Sequence, residues 1–266
     1  MCGIAGYSVS PKSRIDRTLA AQTLLSAIAE RGSDAAGYAY RGPDVPLAVH
    51  KQQTGARGLL DRVTVPAEAT HALVHVRDYT KGHPTFEANN HPVRHGAVVG
   101  IHNGIIANDE EIFARHGFER AEDGMSVDSE AIFALVEERG SRGAVLEELY
   151  GSMASAWLDA RIPDVVFVAR GMGRPLWIGA GSDEVFFAST GEALELTERY
   201  VGVRLRKREL PEGTLLAAAR GRVVRSESFR PDRSFTEQLL PSVRAPEERV
   251  SCLARLAVIA APAGAR

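Results

Sequence analysis

Met1-Cys2-Gly3-Ile4-Ala5-Gly6 opens the chain and puts a thiol one residue from its amino terminus. The small side chain at position 2 makes Met1 a substrate for methionine aminopeptidase, which would leave Cys2 as the mature N-terminus. One residue would then carry a thiol, with a reference pKa of about 8.5, and a free α-amine at about 7.7–8.0. Nucleophile and base would share a residue, with no separate histidine required. Gly3 and Gly6 allow the backbone to approach a substrate closely. The competing reading is a cysteine that merely opens an ordinary strand, and the rest of the chain decides between them.

Residues 3–9 alternate loosely and predict a strand ending at Ser10-Pro11. Leu19, Leu24, Leu25 and Ile28 fall near helical spacing, predicting a helix over 16–31 that Gly32 ends. Strands are expected over 36–40 and 47–50, joined through Gly42-Pro43-Asp44, and over 71–76. A Gly/Pro/Asn-containing stretch over 78–92 leads to a strongly apolar strand over 96–102. Helices follow over 109–116, over 127–138 with Ser126 as N-cap, and over 142–150. Then come short strands over 153–158, 165–169, 176–179 and 185–189, a helix over 191–200, and strands over 215–219 and 223–226. Closely spaced strands on short turns imply antiparallel sheets rather than repeated βαβ units. The expected fold class is α+β, with sheet packed on sheet between helices. One domain is expected over 2–229. A tail or linker with Pro231, Pro241 and Pro246 occupies 230–266, with room for a short helix.

Hydrophobic content of 44% and charged content of 25% are those of a soluble globular protein. Lys and Arg number 32 against 34 Asp and Glu, which points away from an electrostatic nucleic-acid or membrane partner. Cys2 and Cys252 stand far apart with no CxxC pair, arguing against a disulfide framework or a zinc site. The apolar run over 252–263 is too short to span a bilayer and is broken by Arg255 and Pro262. No secretory signal opens the chain. A reducing, cytoplasmic setting is expected. The eight histidines show no metal-ligand spacing, so neither metal nor cofactor is expected.

Four further stretches could carry chemistry. Arg31-Gly32-Ser33-Asp34-Ala35-Ala36-Gly37 sits where a helix hands over to a strand, and either orients neighbouring backbone or simply caps the helix. Arg77 follows a strand and should project into a loop-lined cleft, where a guanidinium suits bidentate capture of a carboxylate; a surface arginine is the alternative. His102-Asn103-Gly104 ends the apolar strand and offers an amide beside a glycine N–H, the donor pair an oxyanion needs. Asn-Gly is also a hairpin signal, though Ile105-Ile106 beyond it argues for continuation. Asp128, in the first turn of the helix over 127–138, either favours the helix end or receives an ammonium. Lys81 and His83 read as decoration on a mobile loop, and Gly171-Met172-Gly173 as a hairpin turn. Cys252 reads as a packed or incidental thiol, rather than a catalytic one, in a weakly patterned tail.

Cys2-Gly3-Ile4-Ala5-Gly6, Arg31–Gly37, His75-Val76-Arg77, Asn90-His91-Pro92, His102-Asn103-Gly104-Ile105-Ile106 and Asp128-Ser129-Glu130 occur in one order. That order resembles the glutaminase domain of the class II glutamine amidotransferases, and within them the glutaminase half of glucosamine-6-phosphate synthase. The resemblance covers residues 2–220. It implies an N-terminal nucleophile fold, a four-layer αββα sandwich of two antiparallel sheets between helices. It also implies that Cys2 attacks the amide of L-glutamine with its own α-amine as base. Asn103 and Gly104 would hold the oxyanion, Arg77 the α-carboxylate and Asp128 the α-ammonium. Arg31 and Gly32 would position the terminal amine, and Thr80 and His91 would line the pocket. Where the sugar synthase has Trp-Ala-Thr-His-Gly after the arginine, this chain has Asp78-Tyr79-Thr80-Lys81-Gly82, so the covering of the pocket should differ. No synthase half is expected after Phe229, so the ammonia acceptor would be a separate protein. An amide hydrolase acting on another substrate, or a non-catalytic regulatory module keeping the fold, are the alternatives.

Overall fold

The computed structural model describes residues 2–237 and 244–261. Met1, together with residues 238–243 and 262–266 of the expected tail (Pro241 and Pro262 among them), lies outside the described residues. The chain begins with β1 (Gly3–Val9), α1 (Arg17–Ile28), β2 (Ala35–Arg41), β3 (Ala48–Gln52), α2 (Ala56–Leu59) and β4 (His71–Arg77). It continues through β5 (Val93–His95), β6 (Val98–Ile106), α3 (Asp109–His116), α4 (Glu130–Arg139), α5 (Gly143–Leu146) and β7 (Gly151–Asp159). Next come β8 (Val166–Arg170), β9 (Trp177–Ala180), β10 (Glu184–Ala188) and α6 (Gly191–Val201). The last elements are β11 (Arg206–Glu209), β12 (Thr214–Ala219), β13 (Arg222–Ser228) and α7 (Pro246–Ile259).

The strands form a seven-stranded sheet, β11-β9-β10-β1-β4-β2-β3, and a six-stranded sheet, β13-β12-β8-β7-β6-β5. Their ladders are antiparallel. The two-residue period of β1 explains the layering. Ala5, Tyr7 and Val9 face outward into a cluster with Leu24, Leu25 and Ile28 of α1. Ile4 faces inward, where Leu73, Val99, Ile101, Phe187 and Leu216 fill the space between the sheets. On the far side Phe133 of α4 lies against Gly100 so closely that an added Cβ would sit 2.0 Å from its ring. The result is an α+β sandwich of two antiparallel sheets between helical layers.

Asp16 caps α1, accepting a 2.9 Å hydrogen bond from Leu19 N. That helix is buried on nearly every side because α6 and α7 pack over its outer face. Cys252, read from sequence as a thiol in a weakly patterned tail, is fully buried on α7, 14 residues long, beside Leu256. Before it, Glu237 pairs with Arg174, and Ala245 N donates to Glu30 O at 2.9 Å.

Four local expectations are overturned. β6 does not end at His102-Asn103-Gly104 but runs through it to Ile106, and its hairpin with β5 turns at Gly96-Ala97 instead. Ser126 is not an N-cap: α4 starts at Glu130, three residues later than read, with Asp128 in the turn before it. Gly171-Met172-Gly173 is not a hairpin turn, since β8 and β9 belong to different sheets. The segment crosses between them, held to β7 by Met153 N to Met172 O at 3.0 Å and Gly171 N to Met153 O at 2.8 Å. Lys81 does not decorate a mobile loop: its ammonium lies 2.5 Å from the buried Asp109 carboxylate. The short β5, β11 and α2 carry too few patterned residues to stand out in sequence.

Candidate active site

Strand register brings the N-terminus to the arginine. Gly3 of β1 pairs with Val76 of β4, so Cys2 lies beside Arg77 where both strands leave the sheet. Ala35 of β2 pairs with Arg77 on the other side, and Asp34 N donates to Arg77 O at 3.0 Å. Gly32 abuts the same backbone: a Cβ there would meet the Arg77 carbonyl at 2.3 Å. The second sheet contributes β6, tied across by His75 Nε2 to His102 O at 3.1 Å. Cys2, Arg77, His91, Gly104 and Asp128 thereby line one cavity, closed on one side by residues 78–81.

The Cys2 thiol donates weakly to Asp78 O at 3.4 Å, and its carbonyl accepts from Arg31 Nε at 3.0 Å. Burial pushes the thiol above its ordinary pKa, with the Asp78 carbonyl contact and the nearby Arg77 charge opposing. The resting sulfur is therefore protonated and needs a base to become a nucleophile. The Arg77 guanidinium is buried and gripped from one side: Nη1 donates to Asn90 Oδ1 at 2.6 Å and Nη2 to the carbonyls of Lys81, at 2.8 Å, and Gly82. Asn90 itself is anchored through Nδ2 to Pro84 O at 2.8 Å.

Asn103 is buried and its Nδ2 has no partner among the described residues, leaving a donor aimed at no protein acceptor. Gly104 has φ +150, and a Cβ there would lie 1.9 Å from Ser152 O, so only glycine fits. Asp128 Oδ2 accepts from Ile106 N at 2.7 Å, and Oδ1 lies 3.5 Å from Ser129 Oγ. Burial raises this carboxyl from 3.8 to about 6, against the hydrogen bond from Ile106. Thr80 is exposed on the rim.

Three neutral histidines back the cavity. Burial lowers His75 and His102 to about 3 and His91 well below its usual value. His91 stacks on His75 at 4.2 Å, and neither of its ring nitrogens has a partner among the described residues. His102 Nε2 faces Ser152 O at 3.3 Å, so it carries the proton, and Nδ1 accepts from Ser129 Oγ at 2.8 Å. Asn90, His75, His102 and Ser129 carry no role of their own in the sequence motifs that contain them. For His75 the signal was present, since it shares a strand face with Arg77 two residues on.

Residues 80–196 match a sequence family described as "Glutamine amidotransferase domain". Glutamine–fructose-6-phosphate aminotransferase (isomerizing) of Streptomyces coelicolor is 37% identical over 232 residues, covering 78% of this chain and 36% of that enzyme. The chain carries a class II glutamine amidotransferase domain. The aminotransferase of Escherichia coli is 32% identical over 221 residues, covering 76% of this chain and 34% of that enzyme. The chain thus spans about a third of the length of the curated relatives it matches. Among solved structures, the glutamine phosphoribosylpyrophosphate amidotransferase of B. subtilis, complexed with ADP and GMP, superposes with a TM-score of 0.66. At 21% identity, over 87% of this chain and 50% of that one, it shares the fold of this chain. No helix of the described residues is long and apolar enough to cross a membrane, and no group of three or more His, Cys, Asp and Glu among them could hold a metal ion.

Proposed function

We propose that the domain hydrolyses L-glutamine to glutamate and ammonia through a thioester on Cys2, in the cytoplasm, and supplies the ammonia to a separate synthase. The observation that carries this reading is the convergence of the Cys2 thiol, the Arg77 guanidinium and the Asp128 carboxylate on one cavity. Thiol, cation and anion match the side-chain amide, α-carboxylate and α-ammonium of one amino acid.

With Met1 removed, the α-amine of Cys2 takes the Sγ proton as the sulfur attacks the amide carbon. Arg31, through the Cys2 carbonyl, fixes the residue that bears both groups. The Asn103 amide and the Gly104 N–H stabilise the oxyanion. Collapse breaks the C–N bond, and the proton held by the amine leaves with ammonia. Water, deprotonated by the same amine, then attacks the thioester, expelling glutamate and restoring the thiol. Gly32 permits the close backbone contact that seats Arg77. His91 and Thr80 wall the pocket.

The test is glutamate and ammonia release from glutamine by the Met1-processed chain, alongside asparagine and simple amides lacking an α-amine or α-carboxylate. Turnover confined to glutamine supports the reading, and faster turnover of a simple amide overturns it. Asn103→Ala should lower kcat by about 10²–10³ with little change in KM if the amide binds the oxyanion. A raised KM at unchanged kcat would make it a pocket residue instead.

A further inference from the structure

The loop over 78–82, whose residues 78–81 line the cavity, differs in sequence from the sugar synthase at three of its five positions, Lys81 among them. Its near end is pinned by Tyr79 N donating to Asp34 Oδ2 at 2.9 Å. Its far end is pinned by Lys81, whose Nζ lies 2.5 Å from Asp109 Oδ2 and 3.3 Å from Glu110 Oε1 at the start of α3. Asp109 is buried, so this pair reaches below the surface. At this second pin and one residue beyond it, the Lys81 and Gly82 carbonyls accept from Arg77 Nη2. Backbone that orients the guanidinium is thus fastened by the side chain of the residue supplying it.

We propose that Lys81 is a positioning residue for the substrate α-carboxylate: its ion pair with Asp109 and Glu110 anchors the loop whose carbonyls hold Arg77 in place. The inference rests on the glutaminase reading above for its consequence and on geometry alone for the anchor. Lys81 also acts on Asp128, the proposed partner of the neighbouring α-ammonium. Burial is the main cause of the raised Asp128 carboxyl, Asp109 adds to it, and the Lys81 charge opposes both.

Lys81→Met tests this without stranding the buried carboxylate. Arg120 Nη2 lies 3.3 Å from Asp109 Oδ2 and 2.7 Å from Glu110 Oε1, so both acids keep a cation. Two readouts are needed: steady-state glutamine kinetics, and hydrogen–deuterium exchange of the loop in the free protein. Lys81→Met should raise the KM for glutamine roughly tenfold with kcat within about threefold. Exchange over 78–82 should quicken several-fold while β1 and β6 stay protected. Lys81→Arg should restore both. Loop exchange unchanged in Lys81→Met overturns the proposal whatever the kinetics do. If the parent releases no glutamate, the glutaminase reading falls, and faster loop exchange in Lys81→Met still establishes the anchor.

Discussion

Cys2→Ala should abolish glutamate and ammonia release, a loss on the order of 10⁴–10⁶ in kcat. The sulfur is the one atom on which the proposed thioester forms, and the groups proposed to recognise glutamine lie on other elements. Arg77 leaves β4, Asp128 precedes α4 and Asn103 sits on β6. Glutamine should therefore bind the alanine variant within a few-fold of the parent, as read by calorimetric titration. A chain with Met1 retained separates the thiol from the amine. It keeps the sulfur but converts the base into a peptide nitrogen, and its activity should fall comparably. The raised thiol sharpens this contrast, because a protonated sulfur cannot react before a base removes its proton. Activity of Cys2→Ala within tenfold of the parent would remove the sulfur from the mechanism. Full activity of the Met1-retained chain would remove the amine.

The antiparallel sandwich was legible because the core strands carry their burial in local alternation. Ala5, Tyr7 and Val9 against Ile4 specify two buried faces without reference to any partner. What local pattern could not specify is where a segment goes next. Asn103-Gly104 has the composition of a hairpin turn, yet β6 passes through it because β7 pairs with it continuously from Val98↔Asp159 to Ile106↔Gly151. That ladder is long-range, and so is the hydrogen bond from Ile106 N that draws Asp128 out of the helix its spacing suggests. Gly171-Met172-Gly173 shows the same limit, with turn chemistry plain but the sheet being entered invisible. The site is a further step removed. Cys2 meets Arg77 through the register Gly3↔Val76, which no spacing of 75 residues encodes, and only the ordered motifs of a known family pointed to it.

Asp128→Asn should stabilise the fold at neutral pH while crippling glutamine use. The carboxyl is raised from 3.8 to about 6 by burial, so between roughly pH 4 and 6 the folded chain holds a proton that the unfolded chain has released. Stability from this group accordingly falls as pH rises through that window. Above it, the full cost of burying the charge is present, on the order of 2–3 kcal/mol. Asparagine keeps an oxygen for Ile106 N and offers an amide to Ser129 Oγ, without the charge. Urea unfolding at pH 7 should show a gain of about 2 kcal/mol that vanishes near pH 4. The same carboxylate is the proposed partner of the substrate ammonium, and losing it should lower kcat/KM by about 10²–10³. In the parent, kcat/KM should decline below about pH 6 as Asp128 takes up its proton. A charge kept at a cost to the fold is the mark expected of a ligand-binding group. An Asp128→Asn variant less stable than the parent at pH 7, with glutamine use intact, would instead count this carboxylate among the groups that hold β6 to the turn before α4.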